Sequence, residues 1–175
     1  MRMPGAADAA FKLAPWHDFA VMLGGAAAAL TGLVFVAVSI QLRTLASDPA
    51  LRKRATSSLV FLFTIVAASA AILTPQSPRA VGVEFLALVV TGSVAGNAGL
   101  RESSQQTDRQ SRVLMFVQSP TAILGILADI SLIAERGYGF YLAAPCLVVT
   151  LGVTVASAWI VLATAAQEAL KDTGD

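Results

Sequence analysis

Two carboxylic residues, Glu84 and Asp129, stand inside long apolar runs of this chain. An unpaired charge in hydrocarbon costs at least a few kcal/mol, so residues of this kind turn toward protein or water. Gln118, Ala122, Gly125 and Asp129 recur at spacings of four, three and four, which sets them on one face of a helix. His17 and Asp18 open another apolar run, and with Glu84 and Asp129 they are expected in one leaflet. Carboxylates so placed could line an outward vestibule and attract a cation or accept a proton, as in many pores and carriers. Alternatively, Glu84 and Asp129 lie near enough to the headgroups to be hydrated, or pair with His17, Arg79 or Arg136, and only fix helix register. Both readings stay open.

Enzyme chemistry finds little to work with. His17 is the only histidine, so a histidine-rich metal site is ruled out, and no HExxH, GxSxG or Walker phosphate loop occurs. Glu84 and Asp129 lack the flanking residues of intramembrane proteases. The expectation is a non-enzyme without cofactor or metal. The single cysteine, Cys146, excludes an intrachain disulfide and reads as a small buried hydrophobe.

The elements that must position these residues follow from composition. The chain has 175 residues, 56% hydrophobic and 13% charged, where a water-soluble domain carries about a quarter charged. Five apolar stretches are expected, 19–42, 57–73, 80–100, 113–133 and 139–165. Each is long enough at 1.5 Å per residue to cross a hydrocarbon core about 30 Å thick, the shortest with some thinning. The predicted fold is an all-α polytopic transmembrane bundle filling one domain, 1–175. Pro75 and Pro78 should end the second helix and force a tight hairpin into the third. Pro120 should either kink the fourth span or sit harmlessly in its first turn. The first run continues past Ala26–Ala29 as far as Ile40, too long for the core of a signal peptide.

Orientation follows from the basic residues of successive loops. The first loop has four (Arg43, Arg52, Lys53, Arg54), the second one (Arg79), the third three (Arg101, Arg109, Arg112) and the fourth one (Arg136). Placing loops one and three inside with Lys171 leaves eight basic residues in the cytoplasm and four outside, two of them Arg2 and Lys12. The expected topology is N-out and C-in, in a bacterial plasma membrane. Trp16, Tyr138 and Tyr141 then fall at outer ends and Trp159 near an inner one, the interfacial positions that amphipathic rings prefer.

Membrane helices associate through small residues and interhelical hydrogen bonds. Gly25, Ala28, Gly32 and Ser39 form a small-residue stripe on the first helix, Gly92 and Gly96 a GxxxG on the third, and Gly152 and Ala156 a similar pair on the fifth. These stripes either close the bundle or join the chain to a second copy or another membrane protein. Arg52-Lys53-Arg54 forms a basic patch suited to anionic lipid headgroups, worth about 1 kcal/mol per charge near the surface. Its other reading is topology retention alone. With basic residues confined to loops, no nucleic-acid partner is expected.

The stretch Trp16-His17-Asp18-Phe19, then Gly24-Gly25-Ala26-Ala27-Ala28-Ala29-Leu30-Thr31-Gly32-Leu33, resembles the opening of a small membrane-protein family common in actinobacteria. The basic loop before the second helix, the Thr74-Pro75-Gln76 turn and Gly82-Val83-Glu84 extend the likeness, which covers the first half of the chain best. Some members carry the label of modulator of the FtsH membrane protease. The resemblance implies an accessory role without catalysis and assigns no functional residues. A fainter likeness links the first two helices to small oligomeric cation channels of the Orai type.

Overall fold

The computed structural model describes residues 16–103, 109–134 and 138–172, and its regular elements there are all helices. They are α1 His17–Ile40, α2 Leu42–Ser47, α3 Pro49–Leu73, α4 Pro78–Ser103, α5 Arg109–Ile133 and α6 Gly139–Asp172. Three stretches are long and apolar enough to cross a membrane: α1, Leu51–Leu73 within α3, and Gly139–Thr164 within α6. Pro120–Ile133 of α5 is a shorter apolar run. A membrane location fits these three helices.

Local chemistry sets the boundaries. Asp18 in the first turn of α1 complements the positive end of the helix dipole. At Gln41 the last turn tightens, with its N–H shared between the carbonyls of Ala37 and Val38 at 3.3 and 3.2 Å, and α2 begins one residue later. Asp48 then accepts a hydrogen bond at Oδ1 from Leu51 N–H (3.4 Å), with Pro49 as the first helical residue. The same device starts α4: Ser77 Oγ accepts from Ala80 N–H (3.3 Å) and Pro78 follows it. Thus α3 stops at Leu73 and the turn between the two prolines reverses the chain.

These caps also correct the expected limits. The segment 43–56, expected as a polar loop, is largely α2 and the first turns of α3, because Asp48-Pro49 nucleates a helix well before the apolar run starts. Likewise α4 runs on to Ser103 and α5 begins at Arg109, so the polar break expected at 101–112 is shorter. Pro120 lies well inside α5, beyond any first turn, and Pro145 lies inside α6. Membrane helices tolerate interior proline where neighbouring groups satisfy the freed carbonyl.

At the centre is α3, packed on α1, α4 and α6, while α5 lies against α4 and α6, and α6 returns to α1. Its buried residues Ala55, Ser58, Leu62, Ile65, Ser69 and Ile72 alternate in steps of three and four, the seam of nearly parallel helix packing. On α1 the matching residues are Ala20, Leu23, Ala27 and Val34. The core is layered along the bundle. Val81, Phe85, Ala128, Leu132 and Phe140 gather at the Trp16 end. Leu23, Ala27 and Ile65, then Val34, Leu62 and Ala158, follow. Leu45, Leu51, Ala55 and Val161 close the Arg52 end.

Three glycines, Gly24, Gly82 and Gly139, allow the closest approaches. A Cβ on Gly24 would meet Ser69 Cβ at 2.8 Å, joining α1 to α3. One on Gly82 would meet Leu132 Cβ at 2.9 Å and the carbonyl oxygen of Asp129 at 3.1 Å, joining α4 to α5. Helix hydroxyls are largely satisfied by the carbonyl one turn back, as for Thr31 (2.7 Å), Thr64 (2.9 Å), Thr154 (2.7 Å) and Ser157 (2.9 Å). Apolar surroundings therefore hold few unmet polar groups.

Candidate functional site

At the Trp16 end the residues that start α1 and α6 interlock. Trp16 stacks on Phe140 (centroids 5.6 Å apart) and meets Tyr141 and Phe19 edge-on at 5.1 and 6.0 Å. Such pairs add about 0.5–1.5 kcal/mol each beyond area burial. His17 and Asp18 project away from this knot. Their side chains are 62% and 105% exposed, with Nδ1 and Oδ1 3.4 Å apart.

The two carboxylates of the apolar runs part company. Helix α4 turns Val81, Gly82 and Phe85 inward, which leaves Glu84 exposed. Glu84 Oε2 accepts a 2.9 Å hydrogen bond from Gln76 Nε2, which also donates to the carbonyl of Ala71 at 2.9 Å. Glu84 is thereby tied to the end of α3 across the hairpin. Asp129, by contrast, is only 2% exposed, and its Oδ2 has no hydrogen-bond partner. It makes no ion pair among the described residues. Cys146 on α6, half-buried, lies within its electrostatic reach.

Among the expected polar residues, then, His17 and Asp18 are adjacent and exposed, Glu84 is bound to Gln76, and Asp129 is enclosed separately. The side-chain surroundings of Gln118 lie outside the described residues, as do those of Gly96. No group of three or more His, Cys, Asp or Glu among the described residues could hold a metal ion.

The packing glycines divide too. Gly92 faces Thr64, whose Oγ1 is 3.4 Å from where a Cβ would stand. Gly25, Ala28 and Gly32 are exposed, and nothing lies within 4 Å of a Cβ on Gly25, Gly32 or Gly152. The stripe on α1 therefore does not close the bundle. Sequence reasoning passed over Gly24 and Gly82, which do pack, and over Gln76 and Ser69. Gln76 was legible only as a turn residue, and its partner eight positions on depends on the hairpin.

The basic patch sits in the opening turns of α3. Arg52 is exposed, Lys53 and Arg54 are half-buried, and the carbonyls of Arg52 and Arg54 accept hydrogen bonds from Thr56 (3.0 Å) and Ser58 (3.2 Å). Cations near a helix N-terminus gain nothing from the helix dipole.

Comparison of the chain with protein-family models, with curated proteins and with solved structures finds no match.

Proposed function

We propose that this chain is a non-enzymatic, multi-pass protein of a bacterial plasma membrane that acts through helix–helix contacts, with a second copy or with another membrane protein. The observation that carries this reading is the outward face of α1. Gly25, Ala28 and Gly32 are exposed there, with open space beside both glycines. Small residues let a partner backbone come close, which is how helices gain contact where lipid offers no hydrophobic drive. The large exposed side chains on the same helix, Met22, Leu33 and Phe35 among them, would flank such a contact. An accessory or regulatory subunit of a membrane complex fits this surface, and the resemblance to the family labelled as FtsH modulators points the same way.

The topology that goes with this reading has five spans, N-out and C-in, with α4 and α5 crossing beside the three longest apolar runs. Arg52, Lys53 and Arg54 then face anionic headgroups on the cytoplasmic side. Reporter fusions after Ser47, in the α4–α5 connection and at the C-terminus should all report the cytoplasm. Opposite sides for the first two would end the five-span topology.

Cysteine crosslinking in native membranes tests the contact, in a Cys146→Ala background. Gly25→Cys and Gly32→Cys should give a specific covalent product, of the chain with itself or with one partner. Leu127→Cys, exposed on α5, should not. Equal products from all three positions, or none from any, would overturn the assignment. The alternative is an oligomeric channel or carrier, and one observation favours it, the unpartnered Asp129 Oδ2. Ion or proton flux in liposomes that disappears in Asp129→Asn or Glu84→Gln would move the conclusion there.

A further inference from the structure

Buried polar atoms in an apolar bundle need partners, because neither lipid nor hydrocarbon side chains can replace water. Among the described residues three buried side-chain atoms lack one: Gln41 Oε1, Ser69 Oγ and Asp129 Oδ2. The first two belong to neutral groups. Asp129 alone among them is a carboxyl, and it is 2% exposed.

Among the described residues its surroundings offer no compensating cation. On α4, Gly82 abuts the Asp129 backbone, while Arg79 and Glu84 are exposed and Glu84 is held by Gln76. On α6 the titratable groups are Cys146, within electrostatic reach, and Tyr138 and Tyr141, both exposed, with Tyr141 packed on Trp16. On α5 itself the rest of this stretch is aliphatic or small, with Ile123, Leu127 and Ile130 exposed on the far side. An enclosed carboxylate with an open lone pair and no ion pair is heavily penalised, and a proton on that oxygen removes the penalty.

We propose that Asp129 is a proton-binding site inside the bundle, loaded while α5 is seated against α4 and α6 and unloaded only when water reaches the carboxyl. Unloading is a plain dissociation: the O–H bond breaks, its electron pair stays on the carboxylate, and water takes the proton. The Gly82 contact makes the seat. A backbone oxygen and two side chains of α5 lie against Gly82, so α4 covers α5 closely on that side. The site stands independently of the contact face on α1.

Infrared spectroscopy of the full chain in lipid nanodiscs tests this directly. At neutral pH the protein should show the carbonyl stretch of a protonated carboxylic acid, lost in Asp129→Asn and kept at a shifted frequency in Asp129→Glu. Absence of an acid carbonyl band from the unsubstituted protein at neutral pH overturns the proposal, whether or not the variants fold. So does an undiminished band in Asp129→Asn.

Discussion

Gly24 and Gly25 are neighbours in sequence and opposites in surroundings. Beside Gly24 the next helix is so near that a Cβ would stand 2.8 Å from Ser69 Cβ, whereas beside Gly25 there is nothing within 4 Å. One residue turns an α-helix by about 100°, enough to pass from the packed seam to the outer face. The packed face mixes sizes, with Leu23 and Val34 among Ala20 and Ala27. On the outer face the small residues Gly25, Ala28 and Gly32 lie between large exposed ones. Small size is therefore a poor guide to intrachain packing in this protein. What matters is whether a neighbouring backbone is close enough to need the space.

Substituting both kinds of glycine should break the symmetry of their sequence. Gly82→Leu is expected to have the largest effect, since Leu132 Cβ and the Asp129 carbonyl cannot rotate away. Overpacking of this sort costs about 3 kcal/mol or more, and Gly24→Leu should come next for the same reason. Both should melt well below the parent in detergent or fail to accumulate. On the other face, Gly25→Leu and Gly32→Leu should leave folding within about 0.5 kcal/mol of the parent. They should instead weaken association in the membrane about tenfold, equivalent to ~1.4 kcal/mol, measured by energy transfer between labelled chains or by partner co-purification. A melting loss at Gly25 as large as that at Gly24 would erase the distinction between the faces.

The sequence shows why only part of this was legible. Apolar runs, Pro75 and Pro78 announce helices and a hairpin, and the hairpin between α3 and α4 lies where those prolines stand. Helix rotation is another matter. In water, an apolar stripe marks the buried face of a helix, but a bilayer makes the outer face apolar too, so α1 carries no such stripe. The stripe of Gly25, Ala28, Gly32 and Ser39 stands out by size alone, and size does not separate Gly24 from Gly25. The same limit governs the acids. Glu84 and Asp129 are equally visible as polar residues in apolar runs, yet the rotation of α4 and α5 leaves one at the surface and encloses the other. Asp48-Pro49 starts α3 inside a stretch whose charged residues read as loop.

A smaller effect is expected at the hairpin, where Gln76 links Glu84 to the carbonyl of Ala71. A hydrogen bond to a charged group contributes more than a neutral one, but exposure of Glu84 discounts it, so Gln76→Ala should cost about 1 kcal/mol. Glu84→Gln should cost less, because the side-chain oxygen that accepts from Gln76 is retained. A double-substitution cycle would expose the coupling, and an additive result would leave Gln76 as a cap on α3 alone.

The smallest expected change concerns the partner of Gly24. Ser69 is 2% exposed and its Oγ has no hydrogen-bond partner, unlike the helix hydroxyls that bond one turn back. Ser69→Ala removes that oxygen and keeps the Cβ on which Gly24 packs, so it separates the hydroxyl from the close approach. An unmet buried polar group is unfavourable by about 1–3 kcal/mol, and losing it should leave the melting temperature unchanged or slightly raised. The pair Gly24→Ala with Ser69→Gly then moves the methyl-sized bulk from one helix to the other. If close approach of α1 and α3 governs this face, the double variant should recover stability that Gly24→Ala alone loses. Failure to recover would mean that the backbones there already have room, and the contrast between Gly24 and Gly25 would lose its steric basis.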